Sequence, residues 1–189
     1  MYDSNNDVLA FRNEEVTLLQ PQRTAMRDRR NANRKRLKNR LKDTNFPLPQ
    51  EFIKQGSYAM LTMVQDDDND YDIDDGVYFA EEGLNDKDGK PLSPSVVRQR
   101  ICDALQDKRF KKQPEVLKSC VRVYYDEGYH VDLPIYRIRR SDGQYELAAG
   151  DQWVVSRSSG CGRLVLRHEH VQEPRRRERP TVSPHCSVS

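Results

Sequence analysis

The sequence predicts an α/β chain of the α+β kind: a mixed sheet with flanking helices, a long N-terminal helix and a disordered C-terminal tail. Three observations predict it. Runs at 72–79, 121–125 and 130–138 carry the residue types and the alternation of strands. Segments 14–42 and 95–107 space their apolar residues as helices do. From Arg157 onward neither period survives, and Ser, Arg, Pro, His and Glu dominate. A length of 189 residues then suits one core, 1–156, followed by a disordered tail, 157–189.

Taken in order, the elements have local causes. Segment 14–42 carries Leu18, Leu19, Met26, Leu37 and Leu41 on a sparse apolar side, with Arg and Lys filling the rest. Pro21 suits its first turn, where a missing N–H costs nothing. The favoured reading is a solvated helix with one edge on the domain; the sharper one is an electrostatic track for nucleic acid. Asn45-Phe46-Pro47-Leu48-Pro49 ends the helix. A short segment, 50–54, leads to Gly56-Ser57 and a helical turn over 58–64. An acidic loop, 66–70, precedes the first strand run, and 81–92 is a Gly/Asp/Lys loop. In 95–107, Val96, Val97, Ile101, Ala104 and Leu105 share one side. Asp126-Glu127-Gly128 joins the runs 121–125 and 130–138 as a hairpin. A further short strand follows at 145–148.

Composition narrows the function classes. Hydrophobic residues make up 35% and charged residues 33%, and mean hydropathy is −0.94. No apolar run is long enough to span a bilayer, and the start has no signal-peptide pattern, so a cytoplasmic location is expected. A net charge of +2 gives no reason to expect nucleic acid as a partner. Cys102, Cys120, Cys161 and Cys186 form no C-x-x-C pair, and free thiols are expected. Cys161, His168, His170, His185 and Cys186 fit no zinc-finger spacing.

The chemistry concentrates in carboxylates. In a strand, Asp72 and Asp74 project to one face while Ile73 enters the core. Such a pair repels unless a cation neutralises it, and magnesium prefers oxygen ligands of this kind. Asp132 lies on the face opposite Val131, Leu133 and Ile135. If the two strands are neighbours, all three carboxylates converge, as two-metal phosphoryl-transfer sites require. Gly56-Ser57 offers backbone N–H groups and a hydroxyl to phosphate oxygens. The alternatives are plain ones: Asp72 and Asp74 as surface charges on an edge strand, and Asp132 paired with an arginine such as Arg122. Asp75 faces away and is assigned to the loop or turn. An EF-hand is a near miss, with Asp70, Asp72, Asp74 and Glu81 at ligand positions; but Asp75 stands where glycine is needed, and Val77-Tyr78-Phe79 is strand.

Three runs carry a family resemblance. Gln55-Gly56-Ser57-Tyr58-Ala59, Tyr71-Asp72-Ile73-Asp74-Asp75-Gly76-Val77-Tyr78 and His130-Val131-Asp132-Leu133-Pro134-Ile135-Tyr136 resemble the motifs of the bacterial cyclic GMP-AMP synthase-like nucleotidyltransferases of CBASS anti-phage systems. The resemblance covers about 14–156. It implies a polymerase-β-like core, a triphosphate gripped by Gly56 and Ser57, and Mg²⁺ (or Mn²⁺) on Asp72, Asp74 and Asp132. It further implies that ATP, GTP or other nucleoside triphosphates are joined into a cyclic di- or oligonucleotide, with a downstream effector sensing the product. The competing functions are a linear nucleotidyltransferase acting on RNA or protein, and a non-catalytic basic nucleic-acid-binding fragment.

The resemblance departs after Gly150-Asp151-Gln152-Trp153-Val154-Val155-Ser156. Members of the family continue with D-P, W-F-x-D and a helical lobe closing over the nucleotides. Shifted by one base, Arg157-Ser158-Ser159-Gly160-Cys161 can read Asp-Pro-Gln-Gly-Val, and Leu164-Val165-Leu166-Arg167 can read Trp-Phe-Cys-Asp. The expectation is a frameshifted tail in place of that lobe, with weak or absent activity in the isolated chain. The gene sequence tests it: a long open frame one base over is expected, and an early stop in that frame overturns it.

Overall fold

Among the described residues, β-branched and aromatic runs broken by turn residues give seven strands, which assemble into one mixed sheet. The computed structural model describes residues 4–11, 17–60, 62–64 and 71–156. The tail 157–189, its Cys/His group, the acidic loop 66–70 and residues 14–16 of the expected helix lie outside the described residues. The helices are α1 (Asn5–Phe11), α2 (Gln20–Asp43), α3 (Gly56–Met60) and α4 (Pro94–Leu105). The strands are β1 (Glu51–Gln55), β2 (Asp72–Ala80), β3 (Glu115–Val116), β4 (Cys120–Tyr124), β5 (His130–Ile138), β6 (Tyr145–Ala149) and β7 (Gln152–Val155).

The strand order is β1-β2-β5-β4-β3, and β6 pairs with both β5 and β7. β2 and β5 run parallel, and the other pairs are antiparallel. Two antiparallel neighbours share one edge of β5. β4 takes the half from His130 to Pro134, and β6 takes Tyr136 to Ile138. The long strand β5 is thereby paired along both edges.

One face of the sheet is apolar and covered. Ile73, Val77 and Phe79 of β2, Val121 and Val123 of β4, and Val131, Leu133 and Ile135 of β5 are buried there. They share a core with Met26, Leu37 and Leu41 of α2 and with Val97, Ile101 and Leu105 of α4. At about 25 cal/mol per Å² of apolar surface, this burial is the main force holding the helices to the sheet. α4 starts where Ser93 caps the Val96 N–H at 3.3 Å and Pro94 occupies the first turn. Arg98 is buried and donates to the carbonyls of Ala148 (2.8 Å) and Gly150 (2.6 Å), tying α4 to the end of β6.

α2 begins at Gln20, not near residue 14, because Thr17 is drawn into a bridge with Val64. Leu18 is buried as expected, but Leu19 is exposed and stands at the helix cap. Val96 is also exposed, since it precedes the buried stripe of α4 by one position. The arginines of α2 largely serve the domain itself. Arg34 makes a two-pronged ion pair with Asp75, one arm at 2.7 Å, and Asp75 is completely buried. Arg36 reaches Asp107 at 3.1 Å, Arg29 pairs with Glu127, and Asn33 accepts from the Tyr125 hydroxyl at 2.7 Å. This supports the docked-helix reading over a free electrostatic track. It also moves Asp75 from a turn role to a structural one. Sequence patterning missed α1, β3 and β7, which are all short.

Removing one partner of a buried pair strands the other charge. Arg34→Ala therefore costs about 3–5 kcal/mol of stability, read as a lower urea midpoint. A midpoint within experimental error of the parent protein would show that Asp75 needs no counter-charge.

Candidate active site

The uncovered face of the sheet is built by the alternate residues of the same strands. β2 presents Asp72, Asp74, Gly76 and Tyr78 there, because Ile73, Asp75, Val77 and Phe79 point into the core. β5 presents His130, Asp132, Pro134 and Tyr136, opposite its buried Val131, Leu133 and Ile135. The parallel register sets Asp72 beside His130, Asp74 beside Asp132 and Tyr78 beside Tyr136. The two carboxylate segments expected from the sequence are thus adjacent strands, with all three acids on one face.

The acids are not equivalent. Asp132 is paired across β4: the Arg122 Nε and Nη2 donate to its two carboxylate oxygens, each at 2.7 Å. Arg122 and Asp132 are partners in the β4–β5 register. The buried Cys120 thiol also bonds Asp132, and its pKa is pushed up to about 12, mainly by burial with the Asp132 charge adding. Asp72 is more exposed, and His130 Nε2 lies 2.5 Å from its Oδ1. Asp74 sits between them. Burial first, then the charges of Asp132 and Asp72, raise its pKa above the ordinary carboxylate value. Among the described residues no three of His, Cys, Asp and Glu stand in a metal-ready cluster. The side chains of Asp132 and Asp72 are instead engaged by Arg122 and His130.

Gly56 follows directly on β1, whose last residue, Gln55, pairs with Asp74. Its φ is +62°, and an added Cβ would lie 2.4 Å from Asp74 Oδ2. Glycine is therefore required twice, by the left-handed backbone and by the carboxylate lying against its α-carbon. Ser57 is exposed beside it, and its carbonyl accepts from the Thr62 N–H at 3.0 Å, closing the turn. The candidate phosphate cradle and the acids are one contiguous surface.

Gln55 fixes that turn to the sheet. Its Nε2 donates to the Tyr78 hydroxyl at 2.7 Å, and its Oε1 accepts from the Tyr136 hydroxyl at 3.2 Å. The rings of Tyr78 and Tyr136 stack at 4.6 Å. Sequence reading quoted Gln55, His130, Tyr78 and Tyr136 without giving them a task. For His130 the signal was available, since it lies two residues before Asp132 and so shares its face.

Comparison with known proteins bears on this geometry. Residues 50–136 match the family described as cyclic GMP-AMP synthase DncV-like, nucleotidyltransferase domain. The fold of the chain is shared with solved structures of CD-NTases. The CdnG of Bradyrhizobium diazoefficiens in complex with GTP matches at 21% identity and a TM-score of 0.59, covering 82% of this chain and 44% of that one. The CdnC:HORMA-deltaN complex of E. coli MS115-1 matches at 20% identity and a TM-score of 0.57, covering 80% and 46%. The DncV cyclic AMP-GMP synthase of Vibrio cholerae matches at 15% identity and a TM-score of 0.58, covering 82% and 58%. The chain spans about half the length of these structures. Within the matched segment lie Gly56, Ser57, Asp72, Asp74 and Asp132. The strand Asp72–Ala80 rules out the EF-hand alternative, which requires an exiting helix.

The charge pattern has a consequence for stability. Because folding raises the Asp74 pKa, the folded state binds that proton more tightly than the unfolded chain. Stability from this group is full below the ordinary carboxylate pKa and is lost as pH rises through the raised value. At neutral pH and without metal, ionised Asp74 opposes folding. Asp74→Asn is thus expected to raise the thermal midpoint of the metal-free protein at neutral pH, with the gain shrinking in acid. Calorimetry in EDTA across pH checks it, and a lowered midpoint at neutral pH refutes it.

Proposed function

We propose that this chain transfers nucleotidyl groups between nucleoside triphosphates and that the product is a cyclic di- or oligonucleotide used as a signal. The observation that carries this reading is the register placing Asp74 beside Asp132, with Gly56 packed on the Asp74 carboxylate. A hydroxyl oxygen of one nucleotide attacks the α-phosphorus of another. The new P–O bond forms as the α–β bridge breaks, and pyrophosphate leaves. The match of residues 50–136 to a nucleotidyltransferase domain supports the class of reaction. That the CdnG structure holds GTP and a CdnC structure holds ATP supports nucleoside triphosphates as substrates.

In this reading Gly56 and Ser57 hold the triphosphate through backbone N–H groups and a hydroxyl. Asp72, Asp74 and Asp132 hold Mg²⁺, or Mn²⁺ in its place. The fit rests on the donor set: three carboxylates on one face of two adjacent strands, Asp74 directly beside Asp132. When bound, the cation supplies charge neutralisation at the phosphate and lowers the pKa of the attacking hydroxyl. Gln55, Tyr78 and Tyr136 keep the Gly56 turn over the acids. No helix among the described residues is long and apolar enough to cross a membrane, and the reading places the reaction in the cytoplasm, where nucleoside triphosphates are abundant. A role in anti-phage defence, with an effector that senses the product, extends the same proposal.

The test incubates the protein with labelled ATP and GTP and Mg²⁺, then treats the products with phosphatase. Only weak release of pyrophosphate and a weak nucleotide product are expected from the isolated chain, both abolished by Asp74→Asn, and robust product overturns the expected impairment. A phosphatase-resistant product supports the cyclic form. A phosphatase-sensitive oligomer assigns linear transfer instead, and no product at any metal or nucleotide concentration overturns catalysis by this chain.

A further inference from the structure

The pairing of Arg122 with Asp132 bears on how the acidic site is loaded. Both oxygens of Asp132 are engaged by one guanidinium, each at 2.7 Å, in a two-pronged geometry that is among the strongest protein ion pairs. Both residues are largely buried, with side-chain exposures of 26% and 11%. The pair is also directly cross-strand, so no rearrangement of backbone is needed to hold it. Asp74, the neighbour of Asp132 on the other side, has no such fork.

Resting on the reading of Asp72, Asp74 and Asp132 as a divalent-cation site, we propose that Arg122 is a placeholder for the cation: its fork holds Asp132 until a metal takes that carboxylate, and breaking the fork sets the metal affinity of the empty protein. Three facts converge on this. Asp132 is the register partner of Asp74 across β2 and β5, so its carboxylate is within reach of the site. Its oxygens nevertheless point to Arg122, and no metal-ready group of three exists among the described residues. Arg122 stands on the same open face as the acids, so it can turn outward to solvent when released. A metal that recruits Asp132 must therefore overcome a two-pronged ion pair in addition to shedding its own water.

The fork, rather than the positive charge alone, is the element tested. Lysine keeps the charge but cannot grip both oxygens in a plane. The probe is Mn²⁺ alone, without nucleotide, measured by calorimetry and by the loss of its free-ion EPR signal. Arg122→Gln is expected to bind Mn²⁺ about tenfold more tightly than the parent, the equivalent of losing one charge-assisted contact of about 1.4 kcal/mol. Arg122→Lys is expected to fall between the two. Should Arg122→Gln fail to fold, Arg122→Lys carries the test alone. If Arg122→Lys binds like the parent, general charge repulsion suffices and the placeholder is wrong. If either variant binds more weakly than the parent, Arg122 orients Asp132 for the metal and the proposal is overturned. A parallel titration of Asp74→Asn separates the two readings. Mn²⁺ binding by the parent that vanishes in Asp74→Asn upholds the cation site whatever Arg122 does. Binding that is absent in every protein, or unchanged in Asp74→Asn, sinks the cation site itself and the placeholder with it.

Discussion

The parallel pairing of β2 with β5 is the constraint on which the rest of the molecule depends, because it sets two aspartates side by side. Asp74 and Asp132 are register partners, and Asp72 is one step along the same face. Like charges so placed are unfavourable in a partly buried setting. The fold tolerates them by supplying a partner to each flank: the Arg122 guanidinium to Asp132 and the His130 imidazole to Asp72. The middle carboxylate is left with the residual strain. A sheet optimised only for stability would place threonine or valine at these positions. That the strain is concentrated at one side chain, beside a glycine turn, is the physical mark of a site.

The other face repays that strain. The sequence Asp72-Ile73-Asp74-Asp75 sends its acids both ways across the sheet, and Asp75 enters the core, where Arg34 of α2 meets it. The most basic helix of the chain is thus fixed by a buried ion pair as well as by Met26, Leu37 and Leu41. Such a pair adds little net stability over an apolar contact, but it permits only one alignment of helix and strand. Alignment of α2 along β2 in turn braces the strand whose opposite edge of residues forms the acidic face. Within four consecutive positions, Asp72 and Asp74 therefore face one side of the sheet and Asp75 the other, sorted by the two-residue period of the strand.

How far the sequence could be read follows from the range of each interaction. The long helix, α4 and the strands β2, β4 and β5 were legible because their patterns are local. The gathering of Asp72, Asp74 and Asp132 was legible through alternation plus the assumption that two strands are neighbours. The Arg122–Asp132 pair was open to more than a guess, since the two residues stand equally far on either side of Glu127 in the hairpin turn. The parallel register of β2 and β5 was not readable, because it is set by packing of the α4 crossover and not by any turn. Nor was the Arg34–Asp75 pair, which joins residues distant in sequence through a helix docking angle. Leu19 and Val96 misled for simpler reasons: Leu19 is the extended cap residue before α2, and Val96 stands one helical position, a rotation of about 100°, from buried Val97.

The aromatic ladder behind the glycine turn ties these levels together. Gln55 is the last residue of β1, and its amide bonds both tyrosine hydroxyls of the central strand pair. An added Cβ at Gly76 would approach the Gln55 Nε2 to 2.7 Å and the Tyr78 ring to 2.8 Å, so the glycine makes room for this network. The turn at Gly56 is consequently positioned by the same β2–β5 pairing that aligns the acids, through Tyr78 and Tyr136. Cradle and carboxylates cannot shift independently without breaking the ladder. The geometry that the proposed phosphoryl chemistry requires, where positioning contributes much of the rate, is in this way a property of strand register.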